Sequence, residues 1–171
     1  MVRVARFEKV SLRRFVADWV ATFPQQTVEQ AVAAYERIRL PERATSGSAG
    51  YDLFAPVGFE LGAGEGIKIP TGLRVLIEEG WVLTIYPRSG LGFKYRFQLD
   101  NSVGVIDSDY ARSDNEGHIF MRMTNDNREG KSLLVPAGTA FAQGIFLPFG
   151  ITVDDDAQGV RNGGLGSTTG H

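Results

Sequence analysis

From residue 41 onward the chain never sustains a helical hydrophobic period. It moves instead through short apolar runs: GIKIP (66–70), GLRVLI (72–77), WVLTIY (81–86), GVI (104–106), HIFMRM (118–123), SLLVP (132–136) and AFAQGIFLPF (140–149). Each is rich in β-branched or aromatic residues and is closed by Gly, Pro, Asn or Asp, the pattern of strands separated by turns. Strands so short and so evenly spaced predict an all-β domain, a compact antiparallel barrel or jelly roll. Glycine fits the same reading: there are 21 in 171 residues, about one in eight where roughly 7% is usual, many of them between the apolar runs.

The first forty residues follow another rule. VRVARFEKV (2–10) alternates apolar and charged residues and predicts a first strand. In SLRRFVADWV the apolar positions Leu12, Phe15, Val16, Trp19 and Val20 fall on one helical face, and in TVEQAVAAYERI so do Val28, Ala31, Val32, Tyr35 and Ile38. Pro24 separates the two helices, and Thr27 with Gln30 has the form of a capping box that starts the second. This amphipathic pair either docks a partner or packs its stripe on its own domain or a sister subunit; packing is the expectation. The length suits one core. Residues 1–153 therefore predict a single β-rich domain carrying a helical insert at 11–39, and residues 154–171 a flexible glycine-rich arm. DDD (154–156) reads as a solvated linker within that arm.

A net charge of -2 argues against a broad basic face for nucleic acid, so any bound anion must meet locally arranged positive groups. The absence of cysteine removes disulfides, thiolate metal sites and a Cys nucleophile. Residues 1–20 scatter five Arg or Lys among short apolar runs, unlike a signal peptide or membrane span. The expectation is a soluble cytoplasmic protein with no nucleic-acid or membrane partner.

Three stretches could carry chemistry. In PRSGLG (87–92), Arg88 offers a planar donor fork, Ser89 a hydroxyl, and Gly90 and Gly92 admit a close backbone approach: a recipe for a phosphate, although taken alone the stretch reads first as an ordinary turn. RNGGLGSTTG (161–170) could wrap oxyanions with amides and hydroxyls, but lacks the Lys and following helix of a P-loop. NSVGVIDSDY (101–110) ends a buried run on Asp107, where a strand would hold a general base at a cleft, with Tyr110 as a ring to support a flat or sugar-like face. An Asx-type turn, with both acids satisfying backbone amides, is the competing reading. The histidines, His118 and His171, form no paired metal motif, and His118 reads as a structural residue within a strand.

Taken in order, AGYDL (49–53), PRSGLG, GVIDSDY (104–110), FAQGIF (141–146) and RNGGLGST (161–168) resemble the five motifs of the trimeric dUTPases, over residues 41–170. The resemblance implies a jelly-roll or distorted-barrel subunit with an inserted N-terminal helical pair, a homotrimer whose sites draw on three chains, and hydrolysis of dUTP to dUMP and pyrophosphate with Mg2+ on the triphosphate. It implies Asp107 as the base that activates water, and Tyr110 as the ring against deoxyribose. Asn101, Gly104 and Val105 would read uracil, and Arg88, Ser89, Gly90 and Gln143 would contact phosphates. Asp52 would meet the metal through water. Arg161, Gly164, Leu165, Gly166, Ser167 and Thr168 would close over the nucleotide.

Three features depart from the family pattern. Leu165 stands where Phe is usual and Ala140 where Arg is usual, and the helical pair is inserted before LPERATSGSAGYDL (40–53). SDYARSDNEGHI (108–119) most resembles the bacterial and phage branch. A dCTP deaminase-like enzyme and a catalytically weak nucleotide-binding regulatory protein are the alternatives. DSDY, in place of an Asp-Pro-Gly-Trp type turn, disfavours the deaminase.

Overall fold

A computed structural model describes residues 1–159 and residue 161. The chain is mostly β, as expected, with antiparallel pairing throughout. The widest sheet has the order β2 (Glu42–Arg43), β3 (Tyr51–Phe54), β12 (Ala140–Pro148), β7 (Trp81–Pro87), β9 (Gly104–Ile106). A second sheet joins β5 (Gly66–Pro70), β10 (Phe120–Asn125) and β8 (Phe97–Leu99), and two ribbons pair β1 (Ala5–Lys9) with β6 (Leu73–Ile77) and β4 (Phe59–Leu61) with β11 (Leu133–Val135). All of them enclose one core, in which Phe97, Phe141, Leu53, Leu83, Ile69 and Met123 are fully buried. No helix among the described residues is long and apolar enough to cross a membrane.

Each apolar run read as a strand contains one. Four strands lie outside those runs: β2, β3, β4 and β8. They are two to four residues long, too short for alternation to register. PRSGLG, read as a turn, instead opens helix α3 (Ser89–Tyr95), with Arg88 in extended conformation at its N-cap. DDD lies in exposed chain outside any strand.

The helical pair forms where the periodicity places it, as α1 (Leu12–Thr22) and α2 (Val28–Glu36). The Ser11 hydroxyl caps α1 by accepting from the Arg14 amide, and the Thr27–Gln30 capping box is complete in both directions. The stripe packs inward on its own subunit. Phe15, Trp19, Ala31 and Ala34 are buried, and full burial of a large apolar side chain contributes about 1.5–3 kcal/mol. Leu12 and Val28, in the first turns, stay half exposed. The hairpin seats so closely that Gly72, with φ of 74°, could not carry a Cβ without meeting Ile38 at 2.2 Å.

Candidate active site

The carboxylates of the VIDSDY segment stand at the end of the edge strand β9. That strand pairs with β7 in the register Ile85↔Gly104, Thr84↔Val105, Leu83↔Ile106, so Asp107 leaves the sheet one step past Leu83. The side chains of Asp107 and Asp109 are 48% and 47% exposed. Among the described residues, neither carboxylate accepts from a backbone amide as an Asx turn would require. Both accept from Arg161, whose Nη2 lies 2.5 Å from Asp107 and whose Nε lies 3.0 Å from Asp109. The same guanidinium sits 5.8 Å from the centre of the Tyr110 ring.

Beside these acids is a cavity of about 340 Å³ whose wall includes Asn101, Gly104, Val105, Ile106 and Phe120. Tyr110, four residues past the cavity-lining Ile106, is buried, its hydroxyl donating to the His118 carbonyl at 2.8 Å and accepting from Asn115 at 3.0 Å. Burial pushes its phenol above the ordinary value, with the Asn115 bond and the nearby Arg161 charge acting the other way. Its ring is therefore a fixed neutral wall.

A second group assembles on the central strands of the same sheet. Asp52 on β3 and Tyr86 on β7 both lie opposite Gln143 on β12. Arg88 follows β7 directly and is ion-paired with Asp52, and Gln143 donates to the Pro87 carbonyl at 3.3 Å. Ser89 and Gly90 form the exposed first turn of α3, where backbone amides lack intrahelical partners and face outward. A cavity of about 310 Å³ opens there against Pro87, Arg88, Ser89, Gly92 and Phe93.

These two groups stand at opposite ends of β7. Asp107 is one step beyond Leu83 and Arg88 one step beyond Pro87, a span of about six residues, or roughly 20 Å at the rise of a strand. One chain brings together Asn101, Gly104, Val105, Asp107, Tyr110 and Arg161, and separately Asp52, Arg88, Ser89, Gly90 and Gln143. It does not bring the two sets to each other. Gly164, Leu165, Gly166, Ser167 and Thr168 lie outside the described residues. Phe120, Phe93 and the Arg161–Asp109 pair escaped the sequence reading; the strand periodicity that places Phe120 on a face does not reveal the cavity it meets.

The chain is similar along most of its length to proteins of known activity. The dUTPase family model matches residues 36–169. The deoxyuridine 5'-triphosphate nucleotidohydrolase of Lactococcus lactis is 43% identical over 134 residues, covering 77% of this chain and 88% of the relative. That of Tolumonas auensis is 41% identical over 140 residues, covering 77% and 88%. Among solved structures, dUTPase from Streptococcus mutans superposes with a TM-score of 0.62 at 34% identity, over 87% of this chain and 98% of that one. A dUTPase from phage phi11 of S. aureus, described with a structural Mg(II) ion, shares the fold with a TM-score of 0.63 at 19% identity, over 92% and 98%.

Proposed function

The chain belongs to the dUTPase family and hydrolyses dUTP to dUMP and pyrophosphate, and we propose that it does so with Asp107 as the base that activates the attacking water. The observation that carries this reading is the position of Asp107. It is a half-exposed carboxylate at the end of a paired strand, beside the cavity walled by Asn101, Gly104 and Val105. Water held by Asp107 attacks the innermost phosphorus. The new P–O bond forms, the bond to the bridging oxygen breaks, pyrophosphate departs, and the proton passes to the carboxylate. A phosphoanhydride already has a good leaving group, so positioning and charge neutralisation do most of the work.

The wall residues divide the recognition. Backbone groups around Gly104 and Val105, with Asn101, pair with the uracil edge, where cytosine would leave buried donors and acceptors mismatched at about 1–3 kcal/mol. Tyr110 closes the space a 2'-hydroxyl would need. Arg88, Ser89, Gly90 and Gln143 take the phosphates, and Arg161, with the residues from Gly164 to Thr168, covers the nucleotide. Because Asp107 and Arg88 leave opposite ends of β7, a complete site draws on more than one subunit, in keeping with the homotrimer that the likeness to the dUTPases implies.

The donors present suit Mg2+ carried by the triphosphate. Asp52 is a single hard carboxylate beside Arg88, and magnesium is commonly held by one or two carboxylates plus phosphate oxygens and waters. Bound there, it would neutralise charge on the phosphoryl oxygens. Asp52 would hold one of its waters.

Incubation with Mg2+ and, in turn, dUTP, dCTP, UTP and dTTP tests the assignment. Pyrophosphate from dUTP alone is expected. Ammonia from dCTP would instead identify a deaminase, and binding without turnover a regulatory protein. Sedimentation should return the mass of three chains.

A further inference from the structure

The helices lie almost wholly outside the residues that match the family model, which begin at 36, yet α1 reaches the wall of the nucleoside cavity. We propose that α1 is a positioning element for that wall, acting through Asp18 and Ser11 on the segment from Tyr110 to Phe120. The proposal rests on the reading of Tyr110 and the Phe120-lined cavity as the nucleoside half of the site.

The helix grips the segment at two points. At its start, the Ser11 amide and hydroxyl each donate to a different oxygen of the Glu116 carboxylate, both at 2.7 Å. Two turns on, Asp18 Oδ2 meets His118 Nδ1 at 2.6 Å, while Arg14 forks onto both oxygens of Asp18 at 3.1 and 2.8 Å. His118 Nε2 accepts from the Gly72 amide at 2.8 Å. The ring therefore carries its proton on Nδ1 and donates it to Asp18.

From His118 the constraint passes by two routes, one to Tyr110 and one to the cavity wall. Its carbonyl accepts from the Tyr110 hydroxyl, which Asn115 also holds. Its imidazole packs 4.6 Å from the Phe120 ring, and Phe120 lines the cavity. Between the two grips the chain turns tightly. Gly117 has φ of 70°, and a Cβ there would lie 2.6 Å from the Ala111 Cα, so the turn that joins the two grips passes close against the Tyr110 segment and admits only glycine. Helix α1 thus acts as a brace behind Tyr110 and Phe120, touching neither substrate nor reacting atoms.

The test uses the full chain and steady-state kinetics with dUTP and UTP. Asp18→Ala is expected to raise KM for dUTP about three- to ten-fold, to leave kcat within about two-fold, and to lower the preference for dUTP over UTP, since the wall binds ground and transition states alike. Asp18→Asn keeps an acceptor oxygen for the imidazole proton and should restore most of the loss. Glu116→Gln weakens the other grip and should move KM in the same direction; it carries the test if Asp18→Ala fails to fold. Wild-type KM and selectivity in the folded variants, or a fall in kcat with KM unchanged, would overturn the proposal. Asp107→Asn, assayed in parallel, separates the outcomes: if it retains full turnover, the site assignment fails, whereas if it is inactive and the Asp18 variant is unaltered, only the brace fails.

Discussion

The residues proposed to take the phosphates and those proposed to take the nucleoside are held in place by different means. Asp52 and Gln143 lie on strands paired along both edges, and Arg88 directly follows another, so backbone ladders set the first group and one ion pair and one side-chain bond finish it. The nucleoside group begins on β9, a three-residue edge strand, and continues through turns to β10. Few ladder bonds are available there, so side chains do the fixing: Asn115 on Tyr110, Asp18 on His118, Ser11 on Glu116. A central strand positions a residue through its backbone; a loop needs side-chain braces, and this chain draws two of them from its helical insert.

The contrast can be broken most severely at Asp107. Asp107→Asn should lower kcat by about 10²–10⁴-fold, the usual worth of a positioned base, with dUTP affinity in calorimetry kept near wild type; wild-type turnover would remove Asp107 from its role. Arg88→Ala should also be nearly inactive, since charge neutralisation at the phosphates is lost. Mixing the Arg88→Ala and Asp107→Asn chains after unfolding should then restore activity. If each site takes Arg88 and Asp107 from different subunits, random assembly gives about a quarter of sites with both; no recovery would place the two groups in one subunit's site after all.

A smaller effect is expected at Arg161. Arg161→Ala removes a guanidinium that now bridges two carboxylates, and KM should rise about ten-fold through the lost charge-assisted contact to phosphate. Leu165→Phe should lower KM by several-fold, a share of the roughly 1–3 kcal/mol that base stacking on an aromatic ring is worth; an unchanged or raised KM would remove stacking from the role of that position.

The mildest test concerns the brace and reads stability. Burial holds the His118 imidazole below the ordinary value of 6.5, against the opposing pull of Asp18 and Glu116, while the Arg14 charge acts with burial. The unfolded chain therefore binds a proton at His118 before the folded one does. The neutral ring contributes stability above pH 6.5, and that contribution is lost as pH falls from there toward the folded-state value. Melting temperature should drop by a few degrees across this range, and His118→Gln should flatten the slope.

Much of this protein was legible in the order of its residues, because the signals are local. The change from a helical period to short alternating runs announced two helices and a β body. Thr27 and Gln30 marked a helix start, and the five motifs named the chemistry. Strands of two to four residues left no period to detect, and the turn reading of PRSGLG missed α3, because Gly90 and Gly92 mask helical propensity that the packing of Leu91 and Tyr95 on the core supplies. What the sequence determined alone was the longer strands, the two N-terminal helices and the kinds of group available to act. Only the tertiary structure decided that Asp107 and Arg88 leave opposite ends of one strand, and that Asp18 meets His118 across 100 residues of chain. Those facts depend on which strands lie side by side and in what register, and pairing between distant segments leaves no periodic trace in either partner.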